Sequence, residues 1–326
     1  MALTLATFNV KDLFDASDDA SRAGLEAKLD TLGAILAEAD ADVVALQEVG
    51  SEAVVRALGL RAAAAAAARG DRARAPFRPY TDAVIGAADA RGIRCALLSR
   101  LPVVESEVRT APHLEFPAFV VGDPPPFGTR IPLRRAVVRA RVEAGALGKV
   151  DVIVVHFKSN RPMALQDEAG TPLPPTTSRA YAEGHLRSLI CRTAEALFVR
   201  GMVDDLVLDD PARHVVVAGD LNDHAASLVV RTVSGGGPMA LVRCADTVPQ
   251  ASRFSILRYG APQQIDHVLA SPGLSQHLQS ARFLNDGLRD HSAFTREGTR
   301  DGARDGSTEE PPSADSDHAA LVVSFA

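Results

Sequence analysis

The chain has 326 residues, of which 46% are hydrophobic and 23% are charged, and its formal net charge at pH 7 is −6. This length allows a sizeable hydrophobic core, and the composition is typical of a globular protein. The negative charge excludes a protein that is basic as a whole, but a local basic groove stays compatible with it. No apolar run is long enough to span a membrane, so no membrane segment is expected.

Apolar runs rich in β-branched residues recur along the chain and predict strands. In chain order they read LTLATFNV, DVVALQEV, IRCALLSR, AVVRARVEA, VDVIVVHF, HVVVAGDL, QIDHVLAS and HAALVVSF. Between some of them, apolar residues at helical spacing predict helices over residues 21–39, 51–69 and 179–203. Because helices separate some strands and not others, the sequence predicts an α/β protein with a mixed sheet.

Two segments are predicted to be long loops. Residues 161–177 carry four prolines, and residues 297–316 are rich in Gly, Asp, Glu and Pro. Such compositions disfavour a packed element. Neither segment resembles an interdomain linker, and residues 1–326 are therefore predicted to form a single domain.

Three scattered cysteines, Cys95, Cys191 and Cys244, show no metal-binding spacing. We expect reduced thiols in the core of a cytosolic protein. The first strand-like run begins at Leu3, so no signal peptide is recognised before it, and a cytoplasmic location and a monomeric state are expected.

Polar side chains lie at one end of, or within, six of the strand-like runs. They are Asn9, Glu48, His156, Asp220 with Asn222, Asp266, and Asp317 with His318. A single cluster such as VVVAGDLNDH is compatible with a plain turn, because Asp and Asn side chains bind local backbone. Six clusters favour a site, since strand ends carry the sites of α/β proteins. Carboxylates and amides suit Mg²⁺, Mn²⁺ or Ca²⁺, and imidazoles carry protons. The pattern predicts metal-assisted phosphoester hydrolysis.

The order of these motifs resembles that of the endonuclease/exonuclease/phosphatase (deoxyribonuclease I-like) superfamily. The segments GDLN and SDH are the most specific, and the resemblance runs from Asn9 to His318. It implies a four-layer α/β sandwich, in which two packed mixed β-sheets are flanked by helices and the site lies at one edge. The segments VHFKSN and FLNDGLRDHSAF look closest to bacterial nuclease-like members.

The resemblance also implies a divalent metal, Mg²⁺ or Mn²⁺, with Ca²⁺ as an alternative. Asn9 and Glu48 match the metal-binding pair of the N-terminal half, and Asp317 matches a further carboxylate on the metal side. A cation is needed because an anionic phosphodiester repels hydroxide.

Five further residues match catalytic positions of the family. Asp220 would orient or deprotonate the attacking water, and Asn222 would hold the phosphate. His318 would act beside the phosphate with Asp266 orienting its ring, and His156 would contact the phosphate. An Asp beside a His fixes the tautomer of the ring and supports its charged form.

Further polar residues follow the same strands. Some members of the family place a Glu as the partner of the histidine that corresponds to His156. At that place this chain has either Asp89 or Arg94. His267 follows Asp266, so it faces the other side of the strand and is expected to be structural. The candidate phosphate-binding residues are Asn160, Lys158, Arg94 and Arg187.

The sequence thus predicts a metal-dependent phosphodiesterase acting on nucleic acid, a DNA or RNA endo- or exonuclease. A phosphatase or phospholipase of the inositol phosphate or sphingomyelin type is the alternative, because the same core acts on the phosphate and loops choose the substrate. The absence of Trp and the three Tyr weaken a base-stacking mode of binding. A non-catalytic binding module is disfavoured by the intact set of ligands.

Overall fold

The computed structural model describes residues 2–69, 77–290 and 315–326. Its α-helices are α1 (Asp19–Ala39), α2 (Glu52–Arg69), α3 (Ser178–Asp209), α4 (Leu228–Ser234) and α5 (Pro272–Ser275). Short 3-10 helices cover Gly145–Leu147, Gly237–Met239, Cys244–Thr247 and Gln250–Ser252. The helices predicted over 21–39, 51–69 and 179–203 correspond to α1, α2 and α3.

The strands of the first half are β1 (Leu3–Leu13), β2 (Val43–Val49), β3 (Asp82–Ile85), β4 (Arg94–Ser99), β5 (Val103–Arg109), β6 (Val137–Glu143) and β7 (Lys149–His156). Those that follow are β8 (Leu165–Gln166), β9 (Pro172–Leu173), β10 (His214–Asp220), β11 (Val242–Arg243), β12 (Ile256–Arg258), β13 (Ala261–Gln263), β14 (Asp266–Ala270), β15 (Leu278–Leu284) and β16 (Ala320–Phe325).

Most of these strands form two six-stranded sheets. The order is β15-β16-β1-β2-β4-β3 in the first sheet and β11-β14-β10-β7-β6-β5 in the second. The pairs β1–β2 and β7–β10 are parallel, and the other pairs are antiparallel, so both sheets are mixed as predicted. The remaining pairs, β8–β9 and β12–β13, are small hairpins.

The two sheets pack face to face, and helices cover their outer faces. Apolar side chains of both sheets share one buried cluster that contains Leu5, Val43, Val152 and Val216. A second cluster joins the first sheet to α1 and α2, and a third joins the second sheet to α3 and α4. The layers are therefore helix, sheet, sheet and helix, which confirms the predicted four-layer α/β sandwich.

Side-chain alternation brings the polar strand ends to the space between the sheets. On β10, Val216 and Ala218 point into the inner core, and the period of two places Asp220 on the same face. Val215 and Val217 point to the helices on the other side. The same alternation at this edge brings in Asn9, His156 and Asp266.

A glycine is needed where β10 passes close to β7. Gly219 has a φ of +153°, and a Cβ added there would lie 1.9 Å from the carbonyl oxygen of Val155. Any side chain would therefore push the two strands apart directly beside Asp220. The glycine directly before Asp220 is explained by this close approach.

The predicted loop over 161–177 is only partly correct, because β8 and β9 form a hairpin within it. Asp167 makes the turn, since its Oδ1 accepts the backbone N–H groups of Ala169 and Thr171, and Gly170 adopts a φ of +84°. Of the other predicted loop, 297–314 lie outside the described residues. The single domain over 1–326 stays a prediction.

The three cysteines are free and buried, as expected for core thiols. Among the helices of the described part of the chain, none is both long and apolar enough to cross a membrane. His267 is fully buried on the helix-facing side of β14, where its Nε2 lies 2.9 Å from the Asp223 carbonyl oxygen. Its place within the fold agrees with the structural role that was expected.

Candidate active site

Asn9 links the two sheets at the edge where the polar residues meet. Its Nδ2 donates to Glu48 Oε1 at 3.2 Å and to Asp220 Oδ2 at 3.1 Å, while its Oδ1 accepts the N–H of Lys11 at 3.0 Å. The amide nitrogen therefore holds two carboxylates side by side. In this orientation Asn9 binds the carboxylates and turns its oxygen away from them, and its role as a metal ligand stays a prediction.

Glu48 reaches this edge through a distortion of β2. Simple alternation would place Glu48 on the helix-facing side with Leu46, which belongs to the outer core. The pairing of β2 with β1 and β4 shifts at this point, and Glu48 has a φ of +65°, which is rare for a residue with a side chain. The distortion turns its carboxylate toward Asn9. Backbone strain of this kind is concentrated at functional sites.

Asp220 is held by the loop that follows it. The backbone N–H of Asn222 donates to Asp220 Oδ1 at 2.8 Å, and Asn222 Nδ2 donates to Asp220 Oδ2 and to the Phe157 carbonyl, each at 3.1 Å. Asn222 adopts a φ of +52°, which Asn tolerates better than most residues. Burial, together with the charge of Asp266, raises the pKa of the Asp220 carboxyl.

Asp266 and His318 form a hydrogen-bonded pair across the two sheets. Asp266 is fully buried, and its Oδ2 lies 2.8 Å from His318 Nδ1. Burial alone would lower the pKa of His318, but the charges of Asp266 and Asp220 and the hydrogen bond to Asp266 raise it to about 10. The ring is therefore an imidazolium at neutral pH. Its other nitrogen, Nε2, lies 4.0 Å from Asp220 Oδ2.

Two parts of this edge have the side chains that a cation requires, and they differ in chemistry. Ligand atoms of Asp220, Asp266 and His318 lie within 4.8 Å of one another. A protonated ring hydrogen-bonded to Asp266 has no lone pair for a metal, so the His318–Asp266 pair is suited to proton transfer and not to metal binding. Glu48 and Asp220 instead bring two hard oxygen ligands together around Asn9, and this donor set fits Mg²⁺, Mn²⁺ or Ca²⁺.

His156 lies beside both carboxylates as a neutral ring. Its Nε2 is 3.5 Å from Asp220 Oδ2 and 3.8 Å from Glu48 Oε1. Burial, with the charges of Arg135 and His318, holds the pKa of His156 well below its usual value. Its Nδ1 is buried and has no hydrogen-bond partner among the described residues. The proton of the neutral ring therefore belongs on Nε2, where acceptors lie.

Neither Asp89 nor Arg94, the two residues that the sequence offers at the position of the histidine's partner, is hydrogen-bonded to His156 among the described residues. Asp89 Oδ2 lies 3.4 Å from Arg135 Nε, and Arg94 donates to the carbonyl of Gly50. Arg135 itself donates to the Phe157 carbonyl at 3.0 Å. The carboxylate that the sequence offered is thus paired with a cation from a distant segment.

Asp317 lies on the same edge and is partly exposed. Its Oδ2 is 3.4 Å from Lys11 Nζ. Ser316 fixes the segment, because its hydroxyl donates to the Asn9 carbonyl at 2.6 Å and accepts the N–H of His318 at 3.0 Å. The SDH motif is therefore joined to β1 by its serine, and the metal-side role of Asp317 stays a prediction.

The four candidate phosphate-binding residues bind parts of the protein. Lys158 Nζ donates to the carbonyls of Ser159 and Arg161, and burial lowers the pKa of this lysine to about 8. Arg94 donates to the Gly50 and Gly92 carbonyls, Arg187 donates to the Met163 carbonyl, and Asn160 accepts from Arg258. Their hydrogen bonds stabilise loops around the site, and a contact with phosphate stays a prediction.

The sequence reasoning missed several residues that support this edge. Ser255 is fully buried, and its hydroxyl accepts the N–H of Asp266 at 3.1 Å. Lys28 of α1 is buried and donates to the Lys11 carbonyl, and burial lowers the pKa of its ammonium. Arg192 and Glu195 of α3 are also buried. For Lys28, Arg192 and Glu195, the available signal in the sequence was a charged residue on the apolar side of a predicted helix.

Solved structures with the same architecture come from bacteria and an animal. An endonuclease/exonuclease/phosphatase of Bacteroides vulgatus is 17% identical, with a TM-score of 0.57 over 100% of this chain and 99% of its own. A mannosyl-6-phosphatase of Bacteroides thetaiotaomicron is 16% identical, with a TM-score of 0.57 over 98% of each chain. Truncated TDP2 of Caenorhabditis elegans is 16% identical, with a TM-score of 0.55 over 99% of this chain and 97% of its own.

At these identities, the structural likeness shows the fold. A search of curated proteins finds no match to the chain. The family model described as "Endonuclease/Exonuclease/phosphatase family" matches residues 6–318, a range that includes each site residue from Asn9 to His318. Since this match covers most of the sequence and agrees with the fold, the chain belongs to the endonuclease/exonuclease/phosphatase family, a family of phosphoester hydrolases.

Proposed function

We propose that the chain is a divalent-metal-dependent phosphodiesterase that cleaves DNA or RNA. The observation that carries the proposal is the charged His318–Asp266 pair facing the Asp220 carboxylate across 4.0 Å, next to Glu48. A base and an acid whose environments differ in this way can accept a proton from the attacking water and donate a proton to an oxygen of the phosphate.

Each residue then has a distinct task. Asp220, held by Asn222, accepts a hydrogen bond from the attacking water and takes its proton as the oxygen bonds to phosphorus. His318 donates its Nε2 proton to a non-bridging oxygen of the phosphate, while the leaving-group oxygen keeps the electron pair of the broken P–O bond and takes a proton from solvent. Asp266 keeps the ring oriented and charged throughout.

Glu48 would hold the divalent cation beside Asp220, and the bound cation would offset the negative charge of the phosphate. Asn9 keeps these carboxylates together by donating to both. Neutral His156 adds an Nε2–H donor on the same side. Glu48 and Asp220 thus supply carboxylate oxygens to the site. Asn9 and neutral His156 provide N–H donors that reduce the repulsion between these two carboxylates.

Cationic side chains on segments around the site favour a polyanionic substrate. The segments next to the strand ends at this edge carry three exposed arginines, Arg91, Arg134 and Arg161. Arg91 and Arg135 lie close enough to His156 for their charges to lower its pKa. Contacts beyond the scissile phosphate are the sequence-independent part of nucleic-acid binding, and these arginines are suited to them despite the net charge of −6.

A phosphatase or phospholipase acting on a small phosphoester or a lipid headgroup is the second candidate. It is favoured by the likeness to the mannosyl-6-phosphatase of Bacteroides thetaiotaomicron, which shares the fold over 98% of each chain. Because the chemistry acts on the phosphate, the same residues would serve either substrate.

The test is a substrate panel with purified protein in Mg²⁺ or Mn²⁺. It contains supercoiled plasmid, linear single-stranded DNA, RNA, an abasic duplex, mannose 6-phosphate, inositol phosphates and sphingomyelin. We expect cleavage of nucleic acid that EDTA abolishes, and nicking of the closed circle identifies endonuclease activity. Hydrolysis confined to monoesters or sphingomyelin would support the second candidate instead. No hydrolysis of any substrate would contradict both.

A further inference from the structure

Helix α3 places two buried charged residues against the loops that leave β7 and β10. Arg192 is 5% exposed and Glu195 is 1% exposed. Three residues apart on a helix, they lie on the same face. We call Arg192 and Glu195 the α3 clamp. Buried charges cost free energy unless they are hydrogen-bonded, so their partners indicate what the helix holds.

Arg192 binds both loops at once. Its Nε and Nη2 donate to Asp223 Oδ2 at 3.0 and 2.9 Å. Its Nη1 lies 3.4 Å from the carbonyl oxygens of Lys158 and Ser159. Asp223 directly follows Asn222, and Lys158 comes two residues after His156. One planar guanidinium therefore joins the loop that leaves β7 to the loop that leaves β10.

Glu195 binds the backbone from the other direction. Its Oε2 accepts the N–H of Lys158 at 2.6 Å, and its Oε1 accepts the N–H of Arg134 at 3.3 Å. The α3 clamp thus receives the N–H of Lys158 on Glu195 and binds its C=O with Arg192. The peptide groups on both sides of this residue are fixed by charges of opposite sign.

The loops that leave β7 and β10 also contact each other, so a displacement of one loop moves the other. The N–H of Phe157 donates to the Asp220 carbonyl at 3.0 Å, and Asn222 Nδ2 donates to the Phe157 carbonyl at 3.1 Å. The α3 clamp holds this linked pair from the helix side. Without it, these loops have fewer bonds to resist a displacement relative to one another.

We propose that Arg192 and Glu195 are positioning residues, which set the place of His156 relative to Asp220 and Asn222. The inference deepens the proposed function and rests on it. Misplacement of a catalytic group by about 1 Å can cost about 100-fold in rate. Because such a loss falls on the chemical step, kcat should fall while KM changes little.

The experiment compares Arg192→Met with Arg200→Met on the same helix. Arg200 is also buried, at 8% exposure, but it pairs with Asp204 and the Ser234 carbonyl, away from the site. Both variants lose a buried guanidinium, so both should lose stability. Steady-state kinetics on bis(p-nitrophenyl) phosphate are measured at a temperature where both are folded, and hydrogen–deuterium exchange is followed over residues 156–161 and 220–224.

We expect Arg192→Met to lower kcat by about tenfold or more with KM within about twofold, and to increase exchange in both segments. Arg200→Met should leave kcat and both segments as in the wild type. Equal losses of kcat in the two variants, or unchanged exchange in Arg192→Met, would overturn the proposal. If the wild type hydrolyses nothing, the proposed function fails, and the exchange result alone decides whether the α3 clamp fixes the loops.

Asp223→Asn provides a milder variant in case Arg192→Met does not fold. It removes the charged partner of Arg192 but leaves the bonds from α3 to Lys158. We expect a smaller fall of kcat, with increased exchange over 220–224 and a smaller increase over 156–161. Wild-type exchange in both segments would contradict the inference.

Discussion

Asp266→Asn should lower the pKa of His318 without removing any catalytic atom from the site. The pKa of His318 is raised from 6.5 to about 10, and the charge of Asp266 is the largest contribution that raises it. A shift of this size corresponds to a preference of ~5 kcal/mol for the imidazolium. Asp220, which lies 4.0 Å from the ring in the wild type, is kept in the variant, so the loss should be partial.

The assay is the pH dependence of kcat/KM on bis(p-nitrophenyl) phosphate at saturating metal. If His318 must be protonated, the wild-type rate falls as pH rises through about 10. In Asp266→Asn this alkaline limb should move down by about 1–3 units, the size of an opposite charge within contact distance. An alkaline limb at the same pH in both proteins would refute the reasoning.

Asp151→Asn is the matched control, because Asp151 is fully buried in the same sheet but pairs with Arg139, Arg141 and Arg213 at a distance from the ring. It should lose stability and keep the alkaline limb. Stability offers a second readout. The folded pKa of His318 is raised, so its contribution is complete below pH 6.5 and is lost as pH rises through about 10. Asp266→Asn should flatten this loss in urea titrations.

Other substitutions test separate parts of the account. Glu48→Gln should weaken Mn²⁺ binding in calorimetry by about tenfold, whereas Glu52→Gln on exposed α2 should not, and equal binding by both variants would remove Glu48 from the metal site. Asp220→Asn should lower kcat by about 100-fold or more, and a near-wild-type rate would exclude it as the base. Asp266→Asn combined with His318→Ala should lose little beyond His318→Ala, because the pair acts as a unit; multiplicative losses would show independent residues. Gly219→Ala should lower the melting temperature strongly, since its Cβ would lie 1.9 Å from the Val155 carbonyl oxygen, and an unchanged melting temperature would contradict the close approach.

The fold could be predicted because periodicity and motif order carry it. Apolar β-branched runs such as Val215–Ala218 predict strands, and the alternation of side chains along the folded strand places Asp220 on the inner face. Glu48 shows where this rule ends. Its side chain follows a register shift and a left-handed φ, and no local pattern in the sequence indicates either.

Long-range pairing explains the other differences between sequence and structure. The sequence left Asp89 open as a partner of His156. In the structure Asp89 forms an ion pair with Arg135, which lies more than 40 residues away in the chain. On α3, Leu186 and Leu197 are 57% and 37% exposed while Arg192 is buried, so apolar spacing alone does not identify the buried face of this helix. The guanidinium is buried because loop carbonyls and Asp223 need a donor there. Such demands arise only when distant segments meet.

The most direct test of the account is the rate of p-nitrophenol release from bis(p-nitrophenyl) phosphate as Mn²⁺ is added to EDTA-treated protein. Wild type is compared with His318→Ala and with His277→Ala, which alters a histidine bound to the Ala326 carbonyl outside the site. We predict saturable, metal-dependent release by wild type and His277→Ala. For His318→Ala we predict a rate that is lower by about 100-fold or more. Release that needs no metal, or that is equal in all three proteins, would contradict the assignment of this edge as a metal-dependent phosphoesterase site.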